Sequence, residues 1–201
     1  MAAGHADQAT PGWLSDPALF HALPVPQTRI DPVHIPWVDL AESMTAAIAT
    51  RFGAAPTVQV HYSGTAELFA WESNLLQLPP SKVKPDVGFA RQISLMIPSA
   101  QETNSPDPVS ALDPEPGTAL FPVLAARSVT CCPDIEAELT GLHQTPLARR
   151  LFESSDWQRH GEAQPLRQGS LTGRACQWRF QPTGKFLLVE EFFLADLSSS
   201  A

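Results

Sequence analysis

Two neighbouring segments of this sequence alternate like β-strands and carry an arginine on the face that is otherwise apolar. In Gly88–Pro98, the side chains that share a face with Arg91 are Phe89, Ile93, Leu95 and Ile97. In Ala119–Cys132, those that share a face with Arg127 are Val123, Ala125, Val129 and Cys131. A buried guanidinium keeps its charge, and leaving it without an anion costs several kcal/mol. Each arginine therefore needs a carboxylate, which the protein or a ligand supplies.

Two interpretations of these arginines remain open. In the first, each arginine pairs with an internal Asp or Glu, or extends its guanidinium to a sheet edge. In the second, the arginines bind an anionic ligand. The alternation supports the two interpretations equally.

The last predicted strand raises a similar question. Lys185–Ala195 is apolar on both faces and holds Glu190 and Glu191 in its middle. Because burial raises the pKa of an unpaired carboxyl, each glutamate needs an arginine or a hydrogen-bond donor. Alternation alone does not tell which glutamate faces a pocket. Alternatively, one pairs with Arg179 and the other lies at a sheet edge.

The remaining periodicity predicts the fold class α+β. Period-two alternation predicts strands at Thr57–Ser63, Ala66–Leu76, Gly88–Pro98, Ala119–Cys132, Trp157–Arg167, Arg174–Gln181 and Lys185–Ala195. Helical spacing and capping residues predict helices at Asp16–Ala22, Trp37–Phe52, Asp134–Leu142 and Pro146–Glu153. Most loops between strands are too short for helical crossovers, so we expect a single antiparallel β-sheet with helices packed on one face.

The length of 201 residues suits one domain. We assign residues 1–36 to a Pro-rich N-terminal approach with a short helix and residues 37–195 to the domain itself. Residues 98–118 contain four prolines after Pro98, four acids and no base, which predicts an acidic Pro-rich loop insertion. Residues 196–201 are expected to form a disordered tail.

Charge and composition exclude several classes of function. The net charge of -8 argues against a nucleic-acid surface, and any bound anion must be captured by a few local cations. The sequence has no apolar run that would span a bilayer, and Met1–Thr10 lacks the parts of a secretory signal, so we expect a cytoplasmic protein. Its six histidines and three cysteines lack metal-ligand spacing, which predicts no metal site.

Five short segments, in order along the chain, carry a family resemblance. Glu42–Thr45 is similar to a D-S-M-T segment, Arg91–Leu95 to an R-E-I-L-L strand and Leu124–Arg127 to an L-A-G-R strand. Thr145–Ser155 is similar to T-P-L-x-x-x-L-F-x-S-S, and Gly184–Leu194 to G-K-P-L-L-L-T-E-L-F-L. Together these segments resemble the bacterial chorismate pyruvate-lyases of ubiquinone biosynthesis.

The resemblance spans roughly Trp37 to Leu194 and implies a fold and an activity. The implied fold is an antiparallel sheet with an enclosed ligand cavity under helical flaps. The implied enzyme is a carbon-oxygen lyase, without metal or cofactor, that eliminates pyruvate from chorismate to give 4-hydroxybenzoate, the first committed step of ubiquinone biosynthesis. We expect a monomer whose only partners are this substrate and product, with no nucleic acid and no transmembrane segment.

The resemblance also implies the site residues. Arg91 would bind the ring carboxylate, helped by the backbone N–H groups of Met44 and Leu147. Glu191 would hydrogen-bond the ring hydroxyl and is, with Arg91, the catalytic candidate. Arg127 would be a partner for the second carboxylate of chorismate.

The chain departs from the family pattern at several positions. Glu190 replaces a Thr, Gln92 replaces an acid, Ala126 replaces a Gly, and residues 98–118 replace a short turn. A carboxyl beside Glu191 would raise its pKa if both were dry, unless Glu190 points the other way.

Three other functions stay open at this point. The first is a small-molecule binding module of the same fold without chemistry, although only residues 1–36 precede the matched region, which favours the enzyme. The second is a chorismate-using enzyme that gives a different hydroxybenzoate. The third is a scaffold that binds protein through residues 98–118, which would leave the buried arginines unexplained.

Overall fold

The computed structural model describes residues 11–79, 85–99 and 119–195. The strands within these residues are β1 (Leu23–Pro24), β2 (Thr57–Glu67), β3 (Val87–Pro98), β4 (Leu120–Thr130), β5 (Trp157–Gln168), β6 (Leu171–Phe180) and β7 (Lys185–Phe193). The helices are α1 (Ile35–Val38), α2 (Met44–Phe52), α3 (Ala70–Leu75), α4 (Pro133–Gly141) and α5 (Leu147–Glu153). Short 3-10 turns lie at Gly12–Leu14, Pro17–Leu19, Gln27–Arg29 and Pro32–His34.

The described strands form one seven-stranded sheet in the order β1-β5-β6-β7-β4-β3-β2. Every neighbouring pair is antiparallel. This confirms the predicted α+β fold with a single antiparallel sheet. The predicted loop insertion at 98–118 and the predicted tail at 196–201 lie almost entirely outside the described residues.

Three predicted elements are wrong in type or extent, and the first two lie between residues 37 and 76. The predicted strand Ala66–Leu76 ends at Glu67 and continues as α3, because the Glu72 carboxylate accepts the Phe69 N–H at 2.6 Å and caps a new helix. The predicted helix Trp37–Phe52 is divided into α1 and α2. Ser43 interrupts it, since its hydroxyl accepts the Ala46 N–H at 3.3 Å as an N-cap.

Of the other three predicted helices, one is wrong and two agree with the structure. At Asp16–Ala22 the structure has only the 3-10 turn Pro17–Leu19, in which the Asp16 carboxylate accepts the Ala18 N–H at 2.9 Å. The two central helices agree with prediction to within one residue at each end, as α4 and α5. Gly53, with a φ of 65°, ends α2 in the left-handed conformation that favours glycine.

Helices cover both faces of the sheet, rather than one as predicted. We call the face that carries Arg91 the front face; α2, α4 and α5 pack there in two hydrophobic clusters. We call the face that carries Arg127 the back face. It is covered by the N-terminal residues 11–22 and by α3, which pack in one cluster around Phe192 of β7. Aromatic rings hold this cover in place, with Phe20 at 5.7 Å from Phe192 between ring centroids.

A fully buried charge cluster joins the elements of the back face. Arg127 of β4 donates from Nε to Glu72 of α3 at 3.0 Å and from Nη2 to the Glu67 carbonyl at 3.2 Å. Its guanidinium lies 4.9 Å from the ring centroid of Phe20, and the Glu190 carboxylate of β7 is 4.0 Å from its Nε. Arg127 therefore has an internal carboxylate partner, as the first interpretation of the arginines required.

Two carboxyl groups, those of Glu72 and Glu190, lie beside the guanidinium of Arg127. Glu72 accepts a hydrogen bond from it, whereas Glu190 does not. Burial raises the pKa of Glu190 well above its usual value, and the nearby Glu72 raises it further, against the opposing effect of Arg127. Neither oxygen of Glu190 has a hydrogen-bond partner among the described residues. Burial beside Glu72 therefore favours the protonated form of Glu190.

We expect Glu190→Gln to flatten the pH dependence of stability. A carboxyl whose pKa is raised by folding binds its proton more tightly in the folded state, so wild-type stability falls as pH rises above the unfolded pKa toward the folded one. The amide does not titrate, so the unfolding free energy of the variant should fall less between about pH 5 and about pH 8, as measured by urea denaturation.

Glu162→Gln, which neutralises an exposed carboxyl of β5, is the control and should keep the wild-type slope. Identical slopes for Glu190→Gln and wild type would mean that Glu190 is ionised in the folded state.

Candidate ligand-binding cavity

A cavity lies on the front face between the sheet and the first residues of α2 and α5. The volume of the cavity is about 610 Å³, including the space that opens to solvent. A cavity of this size suits a small ligand.

Two small side chains of β4, Ala126 and Ser128, make the part of the cavity floor between Arg91 and Glu191. Ala126 pairs with Glu191 of β7, and Ser128 pairs with Arg91 of β3. Two strand spacings and two residue steps therefore separate Arg91 from Glu191, or about 12 Å between their Cα atoms. Arg91 and Glu191 line the cavity from the same face of the sheet, with small residues between them.

Arg91 is the central residue of the cavity because its charge is not balanced. The residue is only 3% exposed, and its Nη2 donates to the carbonyls of His143 at 2.7 Å and Thr145 at 3.5 Å. Among the described residues, no Asp or Glu forms an ion pair with it. Burial lowers the pKa of Arg91 because it removes water from the guanidinium and so disfavours the charged form. The cavity thus offers a cation that no described carboxylate balances.

The first residues of two helices add to this positive character. Met44 begins α2, Leu147 begins α5, and both line the cavity. The N–H groups of a first helical turn have no acceptor within the helix and carry partial positive charge. The Thr145 carbonyl that holds Arg91 lies two residues before Leu147. The backbone that presents Leu147 is therefore anchored to Arg91.

Glu191 lines the cavity together with a partner that the sequence analysis did not identify. Its Oε2 accepts from Nε of Arg174 on β6 at 2.7 Å, and the two residues are direct neighbours in the sheet. Burial acts to lower the pKa of Arg174, but the charge and hydrogen bond of Glu191 outweigh it and raise that pKa. This ion pair fixes the orientation of the carboxylate. Glu191 Oε1 makes no hydrogen bond to any residue within the described ranges.

Arg174 and Arg159 also hold a covering segment onto the sheet. Nη1 of Arg174 donates to the carbonyls of Leu40 at 2.6 Å and Trp37 at 3.3 Å. Nη1 of Arg159 donates to the same Leu40 carbonyl at 3.0 Å, and Arg159 lines the cavity as well. Alternation would have found both arginines, because Arg174 shares a face of its strand with Cys176, Trp178 and Phe180, and Arg159 pairs with Trp178.

Four of the five predicted site residues line this one cavity: Arg91, Met44, Leu147 and Glu191. The fifth, Arg127, does not. In the register of β3 and β4, Arg91 pairs with Ser128 while Arg127 pairs with Gln92, so the two arginines project from opposite faces. Arg127 is bound to Glu72 on the back face and is not available to a ligand that Arg91 holds. Glu190 likewise lies on the back face, and the glutamate that pairs with an arginine of β6 does so with Arg174, not Arg179.

The charges around the cavity favour an organic anion. Three arginines line it, at positions 91, 159 and 174, against the single carboxylate of Glu191. Within residues 11–79, 85–99 and 119–195, no three His, Cys, Asp or Glu side chains are grouped so that they could hold a metal ion.

Comparison of the chain with protein-family models found no matching family, and comparison with curated proteins found no matching protein. In the part of the chain that the structure describes, no helix combines the length and the hydropathy that crossing a bilayer requires. Any assignment of function therefore depends on the cavity and on the resemblance of the short segments.

Replacement by methionine should cost much more stability at Arg127 than at Arg91. Arg127→Met leaves Glu72 buried without a cation, so we expect it to lower the unfolding free energy by about 3 kcal/mol or more. Arg91→Met removes an unbalanced charge, which offsets the lost carbonyl hydrogen bonds, so we expect a loss of no more than about 1 kcal/mol. Urea denaturation of both variants measures the difference. Equal large losses would show that Arg91 is a structural ion.

Proposed function

We propose that this protein is a chorismate pyruvate-lyase, which eliminates pyruvate from chorismate to leave 4-hydroxybenzoate, the first committed step of ubiquinone biosynthesis. In this proposal the enzyme is cytoplasmic, works as a monomer and needs no metal or cofactor. The observation that carries the proposal is the buried guanidinium of Arg91, which lacks a carboxylate among the described residues and shares one small cavity with Glu191. Both are among the residues to which the sequence resemblance assigns the ligand.

The proposed ligand lies along the floor of the cavity. Its ring carboxylate forms a charge-assisted pair with Arg91, whose Nε and Nη1 make no hydrogen bond to a described residue. The N–H groups that begin α2 and α5, at Met44 and Leu147, support the same carboxylate. The hydroxyl end of the ring reaches toward Glu191, and the small side chains of β4 leave room for the ring between the two ends.

The chemistry suits a site with few functional groups. Chorismate loses the ring proton on the carbon that bears the hydroxyl, and the neighbouring carbon-oxygen bond to the enolpyruvyl group breaks. The leaving group takes up a proton and becomes pyruvate, while the ring becomes aromatic, so the products are strongly favoured. Orientation and charge stabilisation then supply much of the rate increase. Glu191, fixed by Arg174, either accepts the ring proton or orients the hydroxyl.

We further propose that two loops enclose the ligand as flaps. The loop between α1 and α2 is held by Arg174 and Arg159 through the Leu40 carbonyl. The loop before α5 is held by Arg91 through the carbonyls of His143 and Thr145. Each loop is therefore fastened by an arginine that also lines the cavity. A ligand carboxylate that binds one of these guanidinium groups would also affect its hydrogen bonds to the loop carbonyls. Ligand binding and the positions of the loops would therefore be coupled.

The direct test is an assay with chorismate in the presence of a chelator. We expect the purified protein to release pyruvate, measured with lactate dehydrogenase, and an equal amount of 4-hydroxybenzoate, identified by chromatography. Glu191→Gln should lower kcat by about 100-fold or more if Glu191 transfers the proton. Glu153→Gln, which changes an exposed carboxylate on α5, should leave kcat unchanged.

Two results would contradict the proposal in different ways. Binding of chorismate by folded protein without release of pyruvate would indicate a binding module. Release of pyruvate together with another hydroxybenzoate would indicate a different chorismate-using enzyme.

A further inference from the structure

We propose that Arg159 forms a second anion-binding subsite, at the end of the cavity opposite Arg91, which receives the second carboxylate of a dicarboxylate ligand. The inference rests on the proposed function in that it takes the ligand of Arg91 to be an aromatic or cyclohexadiene carboxylate. It goes beyond that function by assigning the second carboxylate to a residue outside the segments that carry the resemblance.

The sheet places the two arginines at opposite ends of the same cavity. Arg159 lies on β5 and Arg91 on β3, with β6, β7 and β4 between them. Arg159 pairs with Trp178, whose side chain also lines the cavity, so Arg159 projects from the front face. The Arg159 guanidinium shares the Leu40 carbonyl with Arg174, which pairs with Glu191, so it lies at the Glu191 end of the cavity. A ligand that reaches from Arg91 to Glu191 therefore brings its far end near Arg159.

The guanidinium of Arg159 has an unused donor. Its Nη1 is occupied by the Leu40 carbonyl, but its Nε is buried and has no hydrogen-bond partner among the described residues. A buried donor of a charged group that stays unpaired costs more than a neutral one. A carboxylate from a ligand would satisfy it with a charge-assisted bond.

Arg159 also differs from its neighbour Arg174 in charge balance. Arg174 is paired with Glu191 at 2.7 Å. Within the described ranges no Asp or Glu forms an ion pair with Arg159, although Asp39 and Glu162 line the adjoining surface cleft. Arg159 borders both this cleft and the cavity. The subsite therefore lies where the cavity meets the surface, with one positive charge to spare.

The two subsites would separate the products of the reaction. Before the ether bond breaks, one molecule carries the carboxylates that Arg91 and Arg159 bind. Afterwards the aromatic product keeps the carboxylate at Arg91, and pyruvate keeps the one at Arg159 beside the surface cleft. The substrate is thus held at both ends and each product at only one.

The test compares two stable probes by isothermal titration calorimetry. 4-Hydroxybenzoate has one carboxylate, and 3-(carboxymethoxy)-4-hydroxybenzoate adds a second one through an ether on the carbon next to the hydroxyl. We expect Arg159→Gln to raise the Kd of the dicarboxylate about tenfold or more and that of 4-hydroxybenzoate less than about twofold. Arg159→Lys, which keeps the charge, should lie between wild type and Arg159→Gln for the dicarboxylate. Thermal unfolding checks that each variant is folded.

Each other outcome overturns the subsite. Equal weakening of both probes by Arg159→Gln would mean that Arg159 acts only by holding the Leu40 carbonyl. Unchanged affinity for the dicarboxylate, or no binding of either probe by wild type, would mean that Arg159 is not an anion site. Neither probe reports on catalysis, so failure of the proposed lyase activity is read separately, from pyruvate release by the wild-type protein.

Discussion

Arg91 is buried against the segment that precedes α5, and its partners there are the carbonyl oxygens of His143 and Thr145. The same sheet contains a second buried arginine, Arg127, whose charge is balanced by Glu72. Both side chains are almost fully buried, so the two arginines differ in charge balance rather than in exposure: a carboxylate balances Arg127, and no described carboxylate balances Arg91. A ligand carboxylate bound to Arg91 would balance its charge. The small side chains of the cavity floor would then leave room for the rest of the ligand, and the anchored loops would lie against it.

The back face explains two departures from the family pattern. The resembled segments have an acid at position 92 and a Thr at position 190, whereas this chain has Gln92 and Glu190. Both positions pair directly with Arg127 in the sheet, one from each side. The resembled pattern would place an acid on one strand next to this arginine, and this chain has one on the other. Both side chains point away from the cavity, and burial raises the pKa of the Glu190 carboxyl well above its usual value.

The alternation of apolar and polar residues predicted most strands of the sheet and the buried arginines. The strand register and the side-chain contacts between elements cannot be deduced from that alternation. Period two identified the strands around Arg91 and Arg127 and the need for anions. It could not give the register, which pairs Arg91 with Ser128 and so sends Arg127 to the opposite face. It also could not show that a side-chain cap at Glu72 would turn a predicted strand into α3 and supply the partner of Arg127. Arg159 and Arg174 carried the same signal as Arg91, an arginine among apolar neighbours on its own or the paired strand.

The most direct test of this account is a crystal structure of the protein with 4-hydroxybenzoate. We predict that the ligand carboxylate lies within hydrogen-bond distance of the Arg91 guanidinium and that the hydroxyl points toward Glu191, with both loops closed over the ring. A ligand bound elsewhere on the protein, or an Arg91 side chain that makes no contact with the carboxylate, would contradict it.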